Sequence, residues 1–168
     1  MRYNAFSFFL IVVAQILICN YLHVSMYLSL SILPVLILCL PTKIDTLPAM
    51  LIAFAAGFTV DFAAEGVLGL NIAALLPVAL SRRMLCRAIF GEELEARGDN
   101  FSINKYGPAK VIFAIAIAQA IFLAVYIWAD GGQAQPLAEA AMRWLVSFAV
   151  GLILSVPVAD MLTKEDRR

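Results

Sequence analysis

The stretch Leu47–Arg83, LPAMLIAFAAGFTVDFAAEGVLGLNIAALLPVALSRR, decides how this chain is read. It holds two apolar runs, about Leu47–Ala64 and about Val67–Ser81, with only Glu65-Gly66 between them and Arg82-Arg83 as the stop. Neither run alternates in the period of two that a barrel strand requires. Every backbone donor and acceptor in hydrocarbon has to be satisfied within the protein, and a helix achieves that inside a single segment. The stretch therefore predicts two transmembrane helices joined by a tight turn, with the second span short and carrying Asn71 and Pro77.

The pattern continues on both sides. Upstream, spans are expected at about Ala5–Leu22 and Val24–Leu40, the second interrupted by Pro34, which reads as a kink. Pro41–Asp45 is a short polar connection. Downstream, Arg82–Lys110 is the most polar segment, followed by spans at about Val111–Ala129 and Trp144–Leu162. The expected architecture is all-α: a polytopic bundle of about six transmembrane helices in one domain, 1–168, with a cytoplasmic loop 82–110.

Composition agrees with this. Charged residues make up 14% of the chain, where a soluble domain carries about 25%. The mean hydropathy is +0.91. Net charge is zero and no long basic run exists, so nucleic acid is not an expected partner. Cys19, Cys39 and Cys86 have no metal or disulfide spacing. With the N-terminus in the cytoplasm, eleven of the twelve Lys and Arg residues fall inside and only Arg143 outside. That bias predicts six spans with both termini cytoplasmic. The Met1-Arg2 start and the run behind it read as a retained first helix, since no small-x-small cleavage site follows. Arg82–Gly98 has two readings, a short helix lying along the membrane surface or a solvated loop.

The residues with the most to say lie in the opening stretch. Ala49, Ala53, Gly57 and Asp61 recur every four positions and so share one helix face. Small residues let a second helix approach closely. Asp61 is costly in lipid, about 2.5–3.5 kcal/mol at a helix centre and less near an end. Two readings of it stand: a site facing a partner or cavity, or an acid that pins the turn into the next span. Gly66 permits the turn, Gly69 reads as allowing close packing, and Asn71 is placed to hydrogen-bond Asp61 across the hairpin. Gln15 and Gln119 are amides at membrane depth that read as interhelical glue. His23 reads as interfacial, and Asp160 sits close to the cytoplasmic end of the last span. One histidine, no paired carboxylates at metal spacing, no glycine-rich phosphate loop and no nucleophile elbow leave no catalytic constellation, so neither an enzyme nor a cofactor is expected.

From the first span to the fourth, the chain resembles the MreD family of bacterial rod-shape-determining membrane proteins. The matching residues are Gln15 and Asn20, Pro34, Leu40-Pro41, the stretch Phe54–Phe62 with its Gly57-x-x-x-Asp61 helix end, and Gly66–Ala74 with the Leu68-Gly69 turn. Asn20, Leu40-Pro41 and Asn71–Ala74 are similar to the Bacteroides-type branch. The resemblance covers about residues 10–85; beyond Arg87 only the hydropathy agrees. It implies a non-catalytic inner-membrane component of the cell-elongation complex that scaffolds or regulates peptidoglycan synthesis. The implied partners are MreC, MreB, RodA, an elongation transpeptidase and membrane lipids. It makes Ala49, Ala53, Gly57, Asp61, Gly66, Gly69 and Asn71 a candidate interface or helix-packing site. The family is also similar in fold to the substrate-binding components of energy-coupling-factor transporters, which makes a transport module the rival reading. Those components dock through an Ala-x-x-x-Ala face in the first helix; here the first span has no such pair, and Ala49 and Ala53 lie in the third.

Overall fold

A computed structural model describes residues 5–21, 29–65, 67–91, 107–131 and 136–164. Among them all regular structure is helical: α1 Ala5–Tyr21, α2 Leu33–Leu38, α3 Thr46–Val60, α4 Leu70–Phe90, α5 Pro108–Gly131 and α6 Leu137–Lys164. A single π-helical turn, Asp61–Glu65, closes α3. Among the described residues, three helical stretches are long and apolar enough to cross a membrane: Thr46–Ala64, Pro108–Gly131 and Leu137–Asp160. α4 packs between α3 and α5, and α5 packs on α6.

The surface and the interior are inverted relative to a water-soluble protein. Gln15, Ser31, Asp61, Asn71, Arg82, Gln119, Ser147 and Ser155 are buried. Phe9, Leu17, Leu51, Phe62, Leu80, Phe113, Trp128 and Ile153 are exposed. In water such an apolar exterior would drive association. In a bilayer it faces solvent of its own kind, and the polar groups go inside because only other protein groups can satisfy them.

The second expected span differs most from its reading. Residues 24–28 lie outside the described set, 29–32 are not helical, and only the six residues of α2 are. Pro34 therefore does not kink a long helix; it sits in the first turn of a short one, where its missing N–H costs nothing. The cause is steric. In a continuous helix the Pro34 ring would collide with the carbonyl four residues back, which belongs to Leu30. The chain leaves the helix there instead, and the Gln15 side chain takes up the Leu30 carbonyl at 2.9 Å.

The fourth span also departs from expectation. α4 runs straight through Arg82-Arg83 to Phe90, so residues 82–90 are neither a loop nor a separate surface helix. Arginine ends a hydrocarbon span without ending a helix, in which it is a good former. The stop comes at Gly91, whose φ of 77° closes the last turn. Residues 92–106 lie outside the described set. At the far side Gly107 has φ 84° and Pro108 opens α5. α6 begins seven positions before Trp144, with Glu139 in its first turn, where it suits the helix dipole.

Candidate functional site

The corner between α3 and α4 is built around one carboxylate. At Asp61 the α-helical ladder gives way to the π turn, with its N–H directed to the carbonyls of Gly57 and Phe58. The Asp61 side chain is fully buried. Its Oδ2 accepts from the Gly69 N–H at 2.8 Å. Its Oδ1 accepts from the Asn71 N–H at 3.0 Å and from the Asn71 side-chain amide at 2.9 Å. A longer contact, 3.5 Å, reaches the Ile72 N–H. The first N–H groups of a helix have no partner within it. Here an acid from the preceding helix supplies one, at the end where the dipole favours negative charge.

Two glycines serve this corner for different reasons. A Cβ on Gly57 would lie 2.9 Å from the Ile72 nitrogen and 3.0 Å from its Cα, so α3 and α4 touch through backbone. Ala53 and Ala49, one and two turns earlier, are buried on the same face. Gly69 corrects its expectation. A Cβ there would meet nothing within 4 Å, so it makes no close packing contact. Its φ of 109° is the reason for glycine, since side chains rarely adopt it. Gly66 lies outside the described residues. Ala49, Ala53, Gly57, Asp61 and Asn71 are thus gathered at one interface, and that interface is internal to the chain.

A second polar centre is not visible in the sequence pattern. The non-helical residues 29–32 cross the interior and draw hydrogen bonds from three helices. Gln15 of α1 donates to Leu30 O and accepts from the Ile32 N–H at 2.8 Å. Gln119 of α5 donates to Ser31 O at 3.2 Å. Ser147 of α6 accepts from the Ser29 N–H at 2.9 Å. Arg143 of α6 donates to the Ser29 hydroxyl at 2.9 Å and pairs with Asp130 at 2.6 Å. The two glutamines are therefore more than helix-to-helix glue: they complete a broken backbone. Beside them, Gln119 Oε1 and Ser155 Oγ are buried with no hydrogen-bond partner among the described residues. A pair of serines two apart, Ser29 and Ser31, shortly before Pro34 is the signal that would have located the break.

At the opposite end of α3 from Asp61, the Arg82 side chain is buried and donates to the carbonyls of Leu40, Pro41 and Ile44. It holds the α2–α3 connection against α4. His23 lies outside the described residues. Comparison with family models, with curated proteins and with solved structures finds no match to this chain.

Proposed function

We propose that this chain is a non-catalytic component of the bacterial cell-elongation complex, resident in the inner membrane, that scaffolds or regulates peptidoglycan synthesis beside MreC, MreB, RodA and a transpeptidase. In this reading it is an MreD-like protein of six spans with both termini cytoplasmic. The observation that carries the proposal is the Asp61 corner. The residues on which the resemblance rests, Gly57, Asp61, Gly69 and Asn71, form one hydrogen-bonded hairpin end. The carboxylate is buried among backbone and side-chain donors, which makes it a structural cap rather than a reacting group. Such a corner holds two helices at fixed distance, which is what a scaffold needs.

The rival reading is the membrane subunit of an energy-coupling-factor type transporter. It draws on the interrupted second helix, because transporters place substrate sites where broken helices cross the bilayer interior. Against it, Ala49 and Ala53 are buried beneath α4 and leave no Ala-x-x-x-Ala face there for a coupling protein.

The test is to tag the chain in its own host, extract it in mild detergent and identify what co-purifies. Recovery of MreC with RodA or the transpeptidase supports the elongation reading. Recovery of ATPase subunits with a coupling membrane protein, and no MreC, would replace it with the transporter reading.

A further inference from the structure

Ser147, Gly151 and Ser155 follow one another at four-residue steps and so share one face of α6. All three are buried. Ser147 accepts from the Ser29 N–H of the broken crossing. Gly151 makes room for the Gln119 side chain of α5: a Cβ there would stand 2.5 Å from the amide nitrogen and 3.2 Å from Cδ. Ser155, one turn further, has a buried hydroxyl with no hydrogen-bond partner among the described residues. The Oε1 atom of the same Gln119 amide is in the same position.

The two oxygens differ in what they need. Gln119 Oε1 can only accept, whereas the Ser155 hydroxyl can donate or accept. A hydroxyl in an apolar helix can bond back to a carbonyl of its own preceding turn. Thr59 does so, to Ala55 O at 2.7 Å, and Ser81 does so, to Val78 O at 3.2 Å. Ser155 does not, although it is fully buried. The spacing suits a bridge. Positions four apart on a helix have Cβ atoms about 5–6 Å apart, and the Gln119 amide lies against position 151, four residues from Ser155. Two hydrogen bonds of about 2.8 Å in succession cover about the same distance.

We propose that one water molecule is bound inside the protein between α5 and α6, donating to Gln119 Oε1 and accepting from the Ser155 hydroxyl. One neutral molecule then meets both needs. A metal cation would use the two lone pairs but leave the Ser155 hydrogen without an acceptor. The polar side chains gathered there, Ser31, Gln119, Ser147 and Ser155, are also uncharged and would not balance its charge. The water completes Gln119 as a bridge: Nε2 holds Ser31 O, and Oε1 holds α6 through the water. The crossing is thus tied to α6 at two heights, directly at Ser147 and through water at Ser155. The inference does not depend on which membrane complex the chain joins.

A bridged pair and a dry pair respond to mutation with opposite sign. Removing a buried hydroxyl that has no partner relieves a penalty, whereas removing one that holds a water strands the other partner. In the purified full chain in detergent, Ser155→Ala is expected to lower the melting temperature by about 2–4 °C. In a Gln119→Leu background, where leucine fills the place of amide and water, it is expected to cost nothing. An unchanged or raised melting temperature in Ser155→Ala alone, or the same loss in both backgrounds, would overturn the bridge. Replacing sodium chloride by choline chloride is expected to leave the melting temperature of the unsubstituted chain unchanged, and a stabilisation specific to sodium would overturn water as the occupant. A crystal structure of the unsubstituted chain that shows internal waters is expected to place one within hydrogen-bond distance of both oxygens. A direct Gln119–Ser155 hydrogen bond there would overturn the proposal.

Discussion

Gly57 and Ile72 are in backbone contact: a methyl group on the glycine would lie 2.9 Å from the isoleucine nitrogen. The distance between α3 and α4 is therefore set by the absence of one carbon atom. Gly57→Ala should push the helices apart and lower stability by about 1–3 kcal/mol, the usual cost of overpacking. The check is thermal unfolding of the purified protein in detergent. An unchanged midpoint would mean the two backbones can separate without loss.

The cap on α4 allows a graded comparison. Asp61→Ala strips the acceptor from the Gly69 and Asn71 N–H groups and should cost about 2–3 kcal/mol. Asn71→Ala removes one of several donors and should cost about 1 kcal/mol. In a double-mutant cycle the two losses should be less than additive, because the side chains share a bond. Strict additivity would show that the bond contributes nothing.

Gln15 and Gln119 should differ in cost. Gln15→Leu orphans two backbone groups, Leu30 O and the Ile32 N–H, while Gln119→Leu orphans one, Ser31 O. Gln119→Leu also removes a buried oxygen that has no partner among the described residues. The first should cost about 2 kcal/mol or more and the second under about 1 kcal/mol. Unfolding by denaturant in mixed micelles would order them, and the reverse order would contradict the hydrogen-bond assignment.

Gly151 offers a rescue test. A Cβ there would stand 2.5 Å from the Gln119 amide nitrogen. Gly151→Ala should therefore displace that amide from Ser31 and lower the melting temperature. Adding Gln119→Ala should recover part of the loss, since the obstacle is then gone. If the double variant is as unstable as the sum of its parts, the α5–α6 contact is limited by something other than this side chain.

The α3–α4 corner was legible in the sequence because its logic is local. A four-residue repeat of small side chains ending in an acid, then a glycine-rich turn and Asn71, can be placed on a hairpin from spacing alone. The role of Gly69 was not legible, because spacing does not distinguish a glycine needed for room from one needed for φ. The break at residues 29–32 was hidden for a different reason. Hydropathy reports how a residue partitions, not where its backbone bonds go, and Ser29-Leu30-Ser31-Ile32 partitions like any apolar run. Its partners Gln119 and Ser147 are 88 and 118 positions away from Ser31 and Ser29, beyond any local pattern. Arg82 misled in the opposite sense, since its charge marks the edge of hydrocarbon while its backbone stays helical.

The broken crossing at residues 29–32 has a consequence for how the protein is made. Part of its backbone is satisfied only by side chains that leave the ribosome much later; Gln119 follows Ser31 by 88 residues. At roughly 5–20 residues per second, that is a wait of roughly 4–18 s. During this interval the segment carries polar groups that lipid cannot accept. It has to remain in a wet or sheltered place, at the insertion machinery or under a membrane chaperone, until α5 and α6 arrive to close over it. Truncation after α4 should for this reason yield a chain that is inserted and then degraded, while α3 and α4, whose corner is complete by residue 72, would already be mature.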